Sequence, residues 1–264
     1  MKPLIQRART AGWHLARRVL DPLWWRSAEG RRNQARLSAL RGCHTGRRCF
    51  VLGNGPSIKL TDVRRLKDEI TIGSNALFLL FEFMGFAPTF LTCEDLLVAE
   101  DRSRELNATR GTTKIFPRDL AYCLKADECT LYANFVRNYP GFPRFSEHFD
   151  RICYWGGTVS MMNLQLAYFL GCAPIYLIGF DHSYVVPDKL THVMVSDRDD
   201  VNHFHPDYFG KGYRWHDPRV DKMELGYRAA RAFLEERGVR VYNATAGGRL
   251  EVFERVAYDE IVNV

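Results

Sequence analysis

The stretch Cys49–Lys59, CFVLGNGPSIK, decides how this chain is read. An apolar run from Cys49 to Leu52 stops at two glycines, an asparagine and a proline. The run has the length and composition of a buried strand, and Gly53, Asn54, Gly55, Pro56 and Ser57 form the loop beyond its carboxyl end. Glycine admits backbone conformations closed to other residues. A tight turn accounts for the pair, and so does a backbone that must approach a ligand. Pro56 and Ser57 open the next element, whose free amides suit an anion, while the Asn54 amide suits a base, ribose or phosphate. The spacing is neither GxGxxG nor a P-loop, because no Gly-Lys-Ser/Thr follows.

Outward from this stretch, strand-like and helix-like segments alternate. EITIGSN (69–75), PTFLTCED (88–95), PIYLIGFD (174–181) and VRVYNAT (239–245) read as strands, with TKIFP (113–117) and TLYANF (130–135) as weaker ones. LTDVRRLKD (60–68, Thr61 as N-cap), ALFLLFEFMG (76–85), GGTVSMMNLQLAYFLGC (156–172) and KMELGYRAARAFLEERG (222–238) read as helices. This alternation predicts an α/β fold, a mostly parallel Rossmann-like sheet with helices on both faces. Such sheets bind ligands beyond the carboxyl ends of their strands. Here those ends carry Gly53-Asn54-Gly55, Ser74-Asn75, Glu94-Asp95, Asp181-His182 and Asn243. Each can be turn chemistry; five together point to one shared site. Gly156, Gly157 and Thr158 precede a helix, as an N-cap or as an anion-binding turn. Glu94, Asp95 and Asp181 could hold a divalent cation, bind ribose hydroxyls or begin the next element.

The 264 residues are 46% hydrophobic and 26% charged, enough for one sizeable core. The net charge of +6 is unevenly spread: residues 1–48 hold twelve Lys and Arg against two acids, a formal +10, so the remainder carries −4. The expected division is a basic helical arm over 1–44 and a catalytic domain over 45–264. Arm residues such as Leu4, Ile5, Trp13, Leu15, Val19 and Leu20 alternate with arginines, which fits a basic amphipathic helix on a membrane surface or one packed on the domain. Pro22 is expected to end or kink it. No nucleic-acid motif occurs, and the basic charge lies outside the core. Seven cysteines without a CxxC, no apolar run long enough to span a bilayer and no signal-peptide pattern predict a cytoplasmic chain without disulfides.

Residues 185–220 lack periodicity and hold His192, His203, His205 and His216 among tyrosines and Trp215, the composition of a lid. His203 and His205, on one side of an extended HFH segment, could join His192 in a zinc site. As a general base, a histidine suits proton removal from a hydroxyl near neutral pH. Tyr184 and Tyr208 could donate to a leaving phosphate or pack.

CFVLGNGPSIKLTDVRRLKDEITIGSN (49–75) resembles the opening of Campylobacter-type bacterial sialyltransferases, and GGTVSMMNLQLAYFLGCAPIYLIGFD (156–181) resembles a later block of theirs. The chain resembles more closely the motility-accessory-factor and archaeal 6-hydroxymethylpterin diphosphokinase-like proteins, through these blocks, HFHPDYFG (203–210) and the closing YNAT…LEVFERVAYDE. Together the resemblance covers most of 45–260. The sialyltransferase likeness implies a CMP-sugar donor held by Asn54, Gly55, Ser57 and Asn75 with Gly156, Gly157 and Thr158. It implies a leaving phosphate met by Tyr184, a lid histidine as base, His205 ahead of His203, no required cofactor, and a glycan acceptor. Glu94-Asp95 stands where that family has asparagine. The diphosphokinase likeness implies ATP, with magnesium on Glu94, Asp95 and Asp181; a nucleotide-binding accessory protein is a third reading. Oligomerisation is compatible with all of these.

Overall fold

The computed structural model describes residues 2–185 and 193–263. In chain order the elements are α1 Lys2–Arg26, α2 Ala28–Ser38, β1 Cys49–Leu52, β2 Ile70–Ser74, α3 Phe81–Met84, β3 Phe90–Thr92, α4 Leu96–Asp101, α5 Ser103–Ala108, β4 Thr113–Pro117, β5 Thr130–Ala133, β6 Phe135–Val136, β7 Cys153–Tyr154, α6 Val159–Phe169, β8 Ile175–Ile178, β9 Val193–Val195, β10 Arg214–His216, α7 Val220–Glu236, β11 Val241–Asn243, β12 Glu254–Arg255 and α8 Tyr258–Val262. Among the described residues, eight strands form one sheet in the order β12-β11-β8-β1-β2-β3-β4-β5. Every neighbouring pair in it is parallel. The fold is therefore α/β with a parallel sheet.

The continuous apolar runs follow from this topology, because a parallel strand is covered on both faces. Cys49 and Val51 point into one core with α6 and α7. Phe50 and Leu52 point into the other, with the short helices between β1 and β4. All four are fully buried, each contributing on the order of 1.5–3 kcal/mol if its side chain is wholly withdrawn from water. From β1 the chain winds outward through β2 to β5, then returns to place β8 on the other side of β1. The order thus reverses between β1 and β8, where an open α/β sheet has its binding crevice.

Three local readings change. LTDVRRLKD forms short 3₁₀ segments, Pro56–Leu60 and Val63–Leu66, and Thr61 closes the first instead of capping an α-helix. Pro at the first position and an i→i+3 bond from Thr61 N to Ile58 O (3.3 Å) make a tighter bridge from β1 to β2. Pro22 lies inside α1, which continues to Arg26; it is exposed, so water can take the carbonyl it leaves unbonded. The break falls at Ser27, whose Oγ accepts from Gly30 N and caps α2.

The arm packs on the domain. Leu37 belongs to the core. The Asn33 side chain donates to Tyr132 O (2.9 Å) and accepts from Tyr132 N (2.7 Å) on β5. No helix among the described residues is long and apolar enough to cross a membrane.

Candidate functional site

A cleft of about 1200 Å³ opens at the carboxyl ends of the strands. Its lining includes Gly53, Asn54, Gly55, Asn75, Glu94, Asp95, Gly157, Thr158, Asp181, Tyr184, His203 and Tyr208. Four of the five polar strand ends converge there; the fifth, Asn243, is buried and bonded to Leu250 O and Thr245 N instead. Pro56, Ser57, Gly156 and His205 are not among the lining residues.

The glycines of the first loop answer to backbone approach, and the partner is the protein itself. A Cβ on Gly53 would sit 2.4 Å from Gly179 O, and one on Gly55 would sit 1.9 Å from Asp181 Oδ2. Gly53 N donates to Ile178 O (2.7 Å) and Gly55 N to Gly179 O (3.0 Å), so the loop extends the β1–β8 contact. The turn at Ser57 does cradle an anion, the carboxylate of Asp181, which accepts from Ser57 N (3.2 Å) and Ser57 Oγ (2.6 Å). Asn54 remains at the cleft, with Nδ2 donating to Ser74 Oγ (3.2 Å) and Oδ1 buried without a partner. Asn75 lies in the left-handed region at φ 55°, and its Oδ1 is likewise buried and unpartnered. A non-glycine residue there carries strain that the surrounding structure must hold.

Glu94 and Asp95 have separate duties. Glu94 Oε2 accepts from Arg137 Nη1 (2.9 Å), and its carbonyl accepts from Arg137 Nη2 (2.7 Å). The same guanidinium donates through Nε to Asp119 Oδ2 (2.7 Å). Burial, reinforced by Asp95 and Asp119, pushes the Glu94 carboxyl up to about 7 against the pull of Arg137. Asp95 caps α4, its Oδ1 accepting from Leu97 N (2.7 Å) and Val98 N (3.0 Å). Its Oδ2 accepts from His216 Nδ1 at 3.1 Å. Burial disfavours the Asp95 anion, but His216 and the α4 amides outweigh it and hold its pKa below the usual range. The bond to Asp95 raises the His216 pKa above 6.5 despite burial. A carboxylate on Nδ1 fixes the tautomer and leaves Nε2 as the basic nitrogen of the neutral ring.

The lid is clamped rather than loose where it is described. Strands β9 and β10 pair antiparallel, with Trp215 opposite Met194. Arg214 on β10 binds Asp101 Oδ1 (2.5 Å) and Glu100 Oε2 (2.7 Å). Arg102 donates to the carbonyls of Asp207 and Tyr208 and lies 3.8 Å over the Tyr213 ring. The lid is also tied to the glycine loop by Phe204 N donating to Asn54 O (3.0 Å).

The HFH segment is bent, not an extended strand, with Phe204 buried between two half-buried imidazoles. His203 stacks on Tyr208 (4.0 Å between centroids), and its Nδ1 lies 2.7 Å from Asp200 Oδ2. His205 Nδ1 accepts from Asp207 N (3.1 Å), and the residue is not part of the cleft lining. Tyr208 is buried, its hydroxyl within reach of the Asn75 side chain and the Ala76 amide. The Tyr184 hydroxyl lies 3.8 Å from Met223 Sδ, and burial pushes its pKa well up. Thr158 caps α6 through Ser160 N (3.4 Å). Gly157 has φ 94°, with its missing Cβ facing the Lys222 backbone at 2.8 Å. Gly156 serves packing: a Cβ there would strike Met161 at 2.6 Å.

The proposed magnesium set does not fit. Glu94 is held by Arg137, Asp95 by His216 and α4, and Asp181 by Ser57. Among the described residues no group of three His, Cys, Asp or Glu is placed to hold a metal ion. His192, the third member of the zinc reading, lies outside the described residues. Arg137 was not expected at the site, His182 was expected only as part of a polar strand end, and His216 was not connected with Asp95. Arg137 and His216 meet their acids across 43 and 121 residues, with no local pattern to announce it. His182 lines the cleft at φ 51° with Nε2 buried and unpartnered, and burial lowers its pKa.

A family profile described as 6-hydroxymethylpterin diphosphokinase MptE-like matches residues 32–186, more than half of the chain. No curated protein matches. Among solved structures, the MAf glycosyltransferase from Magnetospirillum magneticum AMB-1 is similar at a TM-score of 0.49 and 14% identity over 85% of this chain. The chain spans 38% of that protein's length.

Proposed function

The chain belongs to the 6-hydroxymethylpterin diphosphokinase MptE-like family, and from that premise we propose that it transfers a sugar from a nucleotide-activated donor to a glycan hydroxyl without a metal ion. The observation that carries this reading is the cleft floor, where a His216–Asp95 pair faces the space while three carboxylates are committed to protein partners. A hydroxyl acceptor needs a base of that kind. Magnesium-dependent phosphoryl transfer needs carboxylates that are not already occupied.

In this mechanism His216 Nε2 takes the acceptor proton as the acceptor oxygen bonds to the anomeric carbon. The bond from that carbon to the nucleotide phosphate breaks, the electron pair leaves with the phosphate, and the centre inverts. Asp95 keeps Nδ1 protonated and stabilises the imidazolium. The phosphate would lie at Gly157 and Thr158, where the amino end of α6 favours negative charge. The unpartnered Asn54 and Asn75 oxygens suit the amino group and ribose hydroxyls of a nucleoside, and a CMP-activated nonulosonic acid is the donor we favour. Tyr184 borders the same space.

The competing reading, pyrophosphoryl transfer from ATP, is favoured by the family's description alone. Thermal shifts with CMP and with ATP, each with magnesium or EDTA, separate the two, because a ligand at a hundred times its Kd adds about 2.7 kcal/mol to apparent stability. A CMP shift that survives EDTA, followed by CMP release from a CMP-sugar, is the expected result. An ATP shift that requires magnesium would overturn it.

A further inference from the structure

Helix α1 presents two unlike faces. Its inner face is fixed to the domain: Trp13 Nε1 donates to Asp119 O (2.8 Å), Arg17 pairs with Asp119 (3.1 Å), and the Trp24 ring packs on Tyr132 (5.7 Å) and under the Arg118 guanidinium (4.5 Å). Its outer face carries Leu15, Val19 and Leu23, one per helical turn, at 68%, 65% and 57% exposure, with Leu20 beside them at 44%. The inner face already packs half-buried Trp13 and Trp24 on the domain, so the outer apolar side chains are not an unfinished core contact. Arg18 and Arg26 are exposed on the same helix, and Arg31 and Arg32 on α2. Among the described residues none of these four forms a salt bridge, and residues 1–48 carry a formal +10.

An apolar stripe with arginines beside it that form no salt bridge among the described residues matches the two layers of an anionic lipid surface, acyl chain below and phosphate above. A second copy of the chain would bring the same positive charge against itself. A spanning helix is incompatible with Arg17, Arg18 and Asp21 at its middle. We propose that α1 lies in the interface of an anionic membrane, with Leu15, Val19 and Leu23 inserted and Arg18, Arg26, Arg31 and Arg32 on the lipid headgroups. The inner-face contacts then hold the catalytic domain to that surface in one orientation, not on a free tether.

The test is co-sedimentation of the full chain with phosphatidylcholine vesicles, with and without phosphatidylserine. The wild-type chain should sediment with the phosphatidylserine vesicles only, and high salt should release it. Replacing Arg18→Glu, Arg26→Glu and Arg32→Glu together should weaken binding on the order of a hundredfold, at about fivefold per basic contact. Replacing Leu15→Glu, Val19→Glu and Leu23→Glu should abolish binding at unchanged thermal midpoint, since all three side chains are exposed. Failure of the wild-type chain to sediment would overturn the proposal, as would equal binding by both variants. So would a lipid-free dimer, seen by light scattering, that the leucine variant dissolves.

Discussion

Replacing Arg137→Met removes a cation that two buried carboxylates share while keeping most of the side-chain volume. Asp119 retains Arg17 at 3.1 Å, so it stays partly paired. Glu94, only 6% exposed, loses its ion pair and its carbonyl loses a charge-assisted bond. Breaking one partner of a buried pair costs about 3–5 kcal/mol, and the retained Arg17 contact places the expected loss near the lower end, roughly 3 kcal/mol. The loss should depend on pH. The Glu94 carboxyl sits at about 7 even with Arg137 present, and without it the anion is disfavoured further. The variant therefore escapes part of the cost by protonating Glu94 in mild acid, and bears all of it in alkali. Urea unfolding at acidic, neutral and alkaline pH reads this directly, and adding Glu94→Gln should recover part of the alkaline loss. A loss below about 1 kcal/mol, or one that does not change with pH, would refute the reasoning.

Three further outcomes follow from the same geometry. The raised His216 pKa means that its neutral form accumulates only above 6.5, so kcat/KM should climb with pH through that region; Asp95→Asn should move the climb to lower pH and reduce turnover. In stability, the pair's contribution through His216 is full below 6.5 and fades as pH rises through the folded-state value. Gly55→Ala drives a methyl into Asp181 Oδ2 at 1.9 Å, and urea unfolding should show a loss of about 1–3 kcal/mol from overpacking. His205→Ala should leave turnover close to wild type, whereas His216→Ala should lower it by about 10²–10⁴-fold in a steady-state assay.

The sheet was legible because each buried strand is an apolar run closed by a polar end, and the end residues sit where an open parallel sheet collects them. Asn54, Asn75, Glu94, Asp95 and Asp181 all reach the cleft for that reason. What each of them does there was not legible. Asp181 looked like a ligand residue and is the anion of its own Ser57 turn; the glycines of the first loop make room for β8 and Asp181. The histidine favoured from sequence lies outside the cleft lining for a local reason: HFH alternates as a strand would, but Phe204 is buried in the core and His205 Nδ1 accepts from the Asp207 amide. The base that the geometry favours instead depends on a carboxylate 121 residues away, and only the folded lid brings them together.

The paired bonds between the Asn33 side chain and the Tyr132 backbone bear on solubility. An amide side chain that donates to the C=O and accepts from the N–H of one residue imitates a neighbouring strand, and β5 is the last strand on its side of the sheet. Asn33 therefore blunts a template on which another chain could add itself. A chain trimmed past residue 33 would keep every residue of the cleft and still present a raw strand edge. Such a truncation should be judged by its state of aggregation before its activity.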